Sequence, residues 1–162
     1  MLLVTFLLIV TVLSLSGYAI SKYKQDYYGS CLRSCDIMAE EFTEYSRQNP
    51  REDLLRDYIP KNMDKIAQQT DAFLYLFNQD GDCIYASENS GISADDLKLS
   101  TEMRSGLQKD GEYMTDSNVG KIDHSAAEPM LTRGRTFYLV RNGEEVPYYM
   151  FASSYTCLLY TS

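Results

Sequence analysis

The chain has 162 residues, enough for one domain, and a net charge of −8 from 15 Lys and Arg against 23 Asp and Glu. An acidic surface argues against binding to nucleic acid, because phosphate recognition needs clustered basic side chains, and it matches anionic lipid headgroups poorly. The charge is unevenly spread, since residues 1–20 and 157–162 carry no charged side chain and 21–156 carries all of it.

The first predicted element is the apolar segment 1–20, which has the length of a helix that crosses a bilayer. The competing interpretation is a cleaved signal peptide, with residues 17–19 as its small-x-small cleavage site. Positive charge normally precedes either kind of segment, but Lys22 is the first basic residue here. We therefore expect the natural start to lie upstream of Met1. We favour a retained transmembrane helix, or signal anchor, with 21–156 outside the cytoplasm.

Helical spacing continues beyond this segment, over 22–48, and Asn49-Pro50 ends it because the residue before proline avoids the helical region. Such an apolar stripe packs against its own domain or forms a dimer seam continuous with the membrane helix. The sequence thus leaves open a homodimer through the 22–48 helix. The heptad a and d positions are Tyr28, Cys35 and Phe42, and Cys31, Met38 and Tyr45.

A second helix is predicted over 51–69, with a kink or interruption at Pro60. The apolar run 72–77 then has the length and aromatic content of a strand. Residues 78–82 provide turn chemistry, including a glycine for positive φ, and 83–87 returns as the second strand of a hairpin.

The middle of the chain gives weaker signals. Residues from Ser100 onward predict a helix that ends near Gly106 or Gly111. The stretch 116–132 has no clear period and is predicted to be a loop.

The last predicted element is a hairpin of strands 136–141 and 146–153, joined by Asn142-Gly143. Pro147 favours an edge position for its strand, or a place among its first residues. Helices that precede a small antiparallel sheet indicate the α+β class. The predicted architecture is a transmembrane helix running into a long helix, then a PAS-like antiparallel sheet with flanking helices.

Three cysteines, Cys31, Cys35 and Cys83, form no CxxC pair and have no histidine near them in sequence, so no metal site is predicted. In an oxidising exterior, Cys83 can bridge one of the two helical cysteines, or a bridge can cross a dimer. Buried thiols are the equal alternative.

The final six residues, Cys157–Ser162, are what TGT CTC TTA TAC ACA TCT encodes, and this DNA resembles the mosaic end of a transposase-based sequencing library. We expect 157–162 to be a sequencing-adapter artefact, and the natural chain to continue past Thr156.

No catalytic centre is predicted. The sequence has no Gly-x-Ser-x-Gly, Gly-x-x-x-x-Gly-Lys or Gly-x-Gly-x-x-Gly motif, and no cofactor is expected. Asn78, Asp80 and Asp82 resemble the start of a calcium loop, but position twelve is Asn89 where a glutamate is needed. His124 lies in predicted loop and is interpreted as a surface residue.

Three segments together carry a family resemblance: DAFLYLFNQDGDCIYASENSG, STEMRSGLQKDG and TFYLVRNGEEVPYYMFASSY. With the N-terminal membrane helix, the chain resembles the extracytoplasmic PAS-like (Cache-type) sensor domains of bacterial receptors. The resemblance covers nearly all of 1–156. It implies the input domain of a sensor histidine kinase, or less often of a chemotaxis receptor or diguanylate cyclase. An anchored or secreted binding module without output domain is the alternative from another class.

The resemblance also implies a homodimer that senses a small molecule or an envelope stimulus. A response regulator would be reached only through a kinase region that these residues do not contain. A ligand would lie over the sheet, near the loop before the last hairpin, where Arg133 and Arg135 can hold a carboxylate bidentately. The candidate ligand-binding residues are Tyr75, Tyr85, Arg133, Arg135, Tyr138 and Tyr148.

Overall fold

The computed structural model describes residues 2–70, 72–115 and 130–155. The predicted loop around His124, and Cys157–Ser162, lie outside them.

The first element is one α-helix, α1 (Leu2–Gln48), as the continuous helical spacing predicts. By length and composition, Val4–Lys22 within it qualifies as a membrane span, and none of that stretch is buried. Two of its hydroxyls are satisfied locally, since the Thr11 hydroxyl donates to the Leu7 and Leu8 carbonyls and the Ser14 hydroxyl donates to the Val10 carbonyl. This is how a helix carries hydroxyls through lipid without unpaired polar groups.

The chain divides into two compact units, residues 1–30 and 31–162. The second unit is built on a five-stranded antiparallel sheet with strand order β2-β1-β5-β4-β3, which places the two predicted hairpins side by side through β1–β5 pairing. The predicted α+β, PAS-like architecture is therefore confirmed. The strands are β1 (Phe73–Phe77), β2 (Cys83–Ala86), β3 (Glu112–Thr115), β4 (Met130–Arg141) and β5 (Glu144–Tyr155).

One face of the sheet, here the α1 face, is covered by α1 and by α2 (Tyr58–Thr70). The described positions of the apolar stripe of α1 pack on this face of its own domain, which is the first of the two alternatives given for the stripe. The side chains of Tyr28 and Cys31 lie outside the described part of α1. The buried members of the stripe are Cys35, Met38, Ala39 and Phe42.

The opposite face, here the α3 face, packs against α3 (Thr101–Asp110) and the segment before it. The helix begins and ends where its capping residues predict. Ser100 accepts a hydrogen bond from the backbone N–H of Met103, and Gly111 follows in the left-handed conformation. Alternate residues of β1 and β5 therefore point into two separate cores.

The structure decides between the alternatives predicted for each of two prolines: the predicted helix 51–69 is cut back to Tyr58–Thr70, and Pro147 lies among the first residues of its strand. Pro60 does not kink α2, because the helix begins at Tyr58 and proline in the first turn lacks only an N–H that has no partner there. β5 is a central strand and not an edge, yet Pro147 pairs only with Tyr138 of β4, since β1 contacts β5 from Tyr149 onward. Proline is tolerated there because its missing N–H faces no neighbouring strand.

Candidate functional site

The six predicted ligand-binding residues lie on both faces of the sheet. Tyr75 is buried on the α3 face, whereas Tyr85 and Tyr148 belong to the α1 face. Tyr138 is 43% exposed. Of the six, only Arg133 and Arg135 come together, and they do so around a residue of α1.

That residue is Asp36, which forms an ion cluster with both arginines. The Arg135 Nη1 atom lies 2.9 Å from Asp36 Oδ1, and Arg133 Nη2 lies 3.2 Å from each Asp36 carboxylate oxygen. Glu112 of β3 adds a second carboxylate 2.9 Å from Arg133 Nη2. The Arg133 side chain is 12% exposed, so its charge depends on these partners for compensation.

The cluster is more open on the side of Arg135. The Arg135 side chain is 33% exposed and Asp36 is 30% exposed. Arg135 also lines a surface groove of about 310 Å³ between α1 and β4, together with Thr43 and Tyr138. Glu40, 77% exposed, lies on the same side with its carboxylate 4.0 Å from Arg135.

Polar contacts from α1 continue along β4 beyond this cluster. Thr43 Oγ1 accepts a hydrogen bond from the backbone N–H of Tyr138 at 3.2 Å, and Ser46 Oγ accepts one from Val140 at 2.6 Å. β3 pairs with β4 only as far as Arg135, so these two hydroxyls satisfy N–H groups that have no strand beside them. This part of α1 is therefore fixed to β4 by side-chain polar groups as well as by apolar packing.

A second polar region lies where the short helical turn after β2, Glu88–Ser90, meets α2. A surface cleft of about 290 Å³ is lined there by Asp64, Gln68, Glu88 and Asn89. Asp64 accepts a hydrogen bond from the Glu88 backbone N–H at 3.2 Å. Burial, with the Asp64 carboxylate nearby, raises the pKa of the Tyr85 hydroxyl strongly, so Tyr85 stays neutral.

The α3 face carries a buried hydroxyl pair within an aromatic core. The Thr132 and Ser153 hydroxyls lie 2.7 Å apart and both residues are 0% exposed. Phe77 and Phe151 pack edge to face in the same core, with ring centroids 5.6 Å apart. Tyr75, a predicted ligand residue, belongs to this core.

Within the described residues, no group of three or more His, Cys, Asp or Glu could hold a metal ion. The Asn78 side chain accepts hydrogen bonds from the backbone N–H groups of Asp80 and Asp82, and Asp82 pairs with Lys98 at 2.8 Å. These contacts are those of a hairpin turn and not of a calcium loop.

Cys35 and Cys83 are buried thiols on opposite faces of the sheet, so they do not bridge each other. Burial raises the pKa of the Cys83 thiol to about 11, which keeps it protonated and unreactive. Cys31, the third predicted partner, has a side chain outside the described residues.

Arg133 and Arg135 were predicted together from the sequence, but Asp36 was not predicted as their partner. The signal was the spacing of Arg133 and Arg135, because residues two apart on a strand point to the same face as Phe137 and Leu139, which are core residues. Two arginines on a buried face need an acid on the covering element. Asp36 lies between the buried Cys35 and Met38 on that element.

No protein-family model matches the sequence, and no curated protein matches it. Among solved structures, the fold is similar to an extracellular ligand binding receptor from Desulfohalobium retbaense, with a TM-score of 0.36 and 10% identity over 60% of this chain and 15% of that one. It is also similar to the sensory domain of the Campylobacter jejuni chemoreceptor Tlp3, which has isoleucine bound. That similarity has a TM-score of 0.44 and 13% identity over 82% of this chain and 61% of the other. The chain thus spans less than two thirds of either structure.

Proposed function

We propose that the chain is the membrane-anchored, extracytoplasmic input domain of a bacterial sensor histidine kinase. The observation that carries the proposal is the order of its parts. A membrane span candidate, Val4–Lys22, is followed in the same helix by residues that form the core of a PAS-like domain. In such a receptor a stimulus changes the sensor domain, and the helix that leads to the membrane carries the change inward.

The contacts of α1 suit this role. Asp36, Thr43 and Ser46 join α1 to β4 through an ion cluster and two hydrogen bonds. A rearrangement at β4 therefore changes contacts of the helix that runs toward the membrane. The stimulus is proposed to be a small molecule or a change in the envelope, and a response regulator would be reached through kinase segments beyond these residues.

The receptor is further proposed to be a homodimer through the 22–48 helix. Because Cys35, Met38 and Phe42 are used in the core, the contact must involve other positions of the helix. Ile37 is a candidate, since it is 55% exposed on the outer side of α1. Disulfide crosslinking of Ile37→Cys in membranes tests this dimer contact. The crosslinking of Glu44→Cys, on the same exposed side of α1, is compared with it.

The kinase assignment is tested by reading the genomic locus beyond the codon for Thr156. We expect the frame to continue into a second apolar run of about twenty residues, then a helical linker with a phosphoacceptor histidine. A methyl-accepting or cyclase module in that place would keep the sensory role and overturn the kinase. A stop codon directly after Ser162 would overturn the input-domain assignment and leave an anchored binding module.

A further inference from the structure

The ion cluster of Asp36, Arg133 and Arg135 has the composition of a carboxylate-binding site. Arg133 and Arg135 alternate along β4, reach the same side of the sheet and contact one carboxylate. Paired guanidinium groups are a preferred way for a protein to hold a carboxylate. Here the carboxylate comes from the chain's own α1.

Asp36 contacts Arg133 through one guanidinium nitrogen, Nη2. Both of its carboxylate oxygens approach Nη2, and Glu112 approaches the same nitrogen at 2.9 Å. The Nε atom of Arg133 is buried and has no hydrogen-bond partner within the described residues. A buried donor without a partner is costly, and a carboxylate laid across Nε and Nη2 would satisfy both. Asp36, attached to a helix, is held end-on to Nη2.

We propose that Arg133 and Arg135 form a binding site for a small organic carboxylate, and that Asp36 is its internal occupant. A free carboxylate that takes the place of Asp36 lies across Nε and Nη2 of Arg133 and keeps the contact with Arg135. Asp36 then loses both arginine partners, and α1 loses the ion pairs that Asp36 makes to β4. As a signal this inference rests on the proposed sensory function, but as a binding event it does not.

The ligand has a route to the site. Asp36 and Arg135 are each about one third exposed, and the groove of about 310 Å³ along α1 and β4 reaches Arg135. Glu40 opposes entry of an anion, but it is 77% exposed and 4.0 Å from Arg135, so water screens it. The groove has room for a small carboxylate.

Asp36 competes with the free carboxylate for the two arginines, and this competition determines how tightly the ligand is expected to bind. A ligand that binds only the state in which Asp36 has moved away has its affinity reduced by the fraction of molecules in that state. If about one molecule in a hundred has Asp36 displaced, removing its charge tightens binding about 100-fold. Asp36→Asn keeps the size of the side chain and removes its charge.

The test uses the full chain in detergent micelles, titrated with sodium acetate or disodium succinate against sodium chloride at equal ionic strength. We expect Asp36→Asn to bind acetate or succinate at least 10-fold more tightly than the unsubstituted chain. Adding Arg133→Gln and Arg135→Gln to that variant should abolish the binding. As a control, Asp53→Asn removes the exposed 3.0 Å ion pair between Asp53 and Arg141, neither of which lines the groove, and should leave the affinity unchanged.

A second readout needs no substitution. Hydrogen exchange of residues 35–46 in the unsubstituted chain should accelerate with acetate or succinate and not with chloride. A folded Asp36→Asn that binds carboxylates no more tightly than the unsubstituted chain would overturn the proposal. If that variant does not fold, unchanged exchange of 35–46 at saturating acetate and succinate overturns it instead. Both readouts are independent of any kinase. The proposed function can therefore be overturned while this inference holds, and this inference can be overturned while the proposed function holds.

Discussion

Gly134 is the residue whose identity the packing constrains most directly. It pairs with Phe151 across β4 and β5, and a Cβ atom at position 134 would lie 2.5 Å from Cε1 of that ring. Phe151 is 0% exposed and packs edge to face on Phe77, so its ring has no free space to enter. The glycine is therefore needed for the close approach of an aromatic ring.

We expect Gly134→Ala to lower the free energy of unfolding by about 1–3 kcal/mol, the usual cost of overpacking a core. This exceeds the roughly 0.4–1 kcal/mol that alanine returns by restricting the unfolded chain. Urea denaturation of the variant measures the change. The cost should shrink when Phe151→Leu is also present, and equal costs in the two backgrounds would show that the ring is not the cause.

A second single residue, Cys83, makes the stability of the fold depend on pH. Burial raises the pKa of its thiol from 9.0 to about 11, because the thiolate is poorly solvated in the α3-face core. In the unfolded chain the thiol ionises near its ordinary pKa, whereas in the folded chain it stays protonated. The thiol's contribution to stability is thus complete below pH 9 and is lost as the pH rises toward 11.

Cys83→Ala should remove this pH dependence. The loss of stability of the unsubstituted chain between pH 9 and 11 should exceed that of the variant by on the order of 2 kcal/mol. Comparing the two chains cancels the tyrosines that titrate in the same range. Parallel pH profiles would mean that the Cys83 thiol ionises equally in both states.

At the scale of elements, α1 satisfies the edge of β4 that β3 leaves open. Ser46 is 1% exposed and its hydroxyl lies 2.6 Å from the Val140 backbone N. Thr43 provides the same contact one helical turn earlier, at Tyr138. The spacing of the two hydroxyls along α1 fits the spacing of the N–H groups along β4, because every second N–H group of β4 points out of the open edge toward α1.

Ser46→Ala should destabilise the domain by about 1 kcal/mol, because it leaves the half-buried N–H of Val140 without a partner. Thermal or urea denaturation measures it. Thr70→Val is a suitable control, since within the described residues the Thr70 hydroxyl bonds to Ile66 of its own helix, and its loss should cost less than about 0.5 kcal/mol. Similar losses in the two variants would contradict the role assigned to Ser46.

The sequence predicts those elements whose signals are local. Asn142 and Gly143 both have positive φ, 54° and 86°, as a two-residue hairpin turn requires, and this turn was predicted from the dipeptide alone. β3 was not predicted, because Glu112–Thr115 is a short edge strand whose residues lack a continuous apolar run. β4 begins at Met130, six residues before its predicted start. Gly134 is a poor strand former and Arg133 and Arg135 interrupt the apolar pattern, but pairing on both sides holds these residues in the sheet.

The candidate site was predictable only in part, for a similar reason. The two arginines were identified from their chemistry, but Asp36 lies 97 residues before Arg133 in the chain. Tyr75 and Tyr148 were grouped as ligand residues although they point to opposite faces, because the relative register of β1 and β5 is a tertiary property.

For the whole molecule, the distribution of polarity separates two parts. Val4–Lys22 is apolar and unburied, whereas the acidic charge lies entirely in 21–156. The exposed leucines of the first part would be unfavourable in water and are favourable in lipid. The proposed sensory role therefore depends on residues 1–20 being a retained membrane anchor.

Membrane retention and protease accessibility of the full chain in a bacterial host test this claim most directly. We expect the chain to stay with the membranes after alkaline carbonate washing, and protease added to intact spheroplasts to digest 21–156. Leu8→Arg with Leu13→Arg should release the chain, since each arginine near the middle of a span costs about 2.5–3.5 kcal/mol. A chain that washes off without substitution, or that protease reaches only after lysis, would contradict the account.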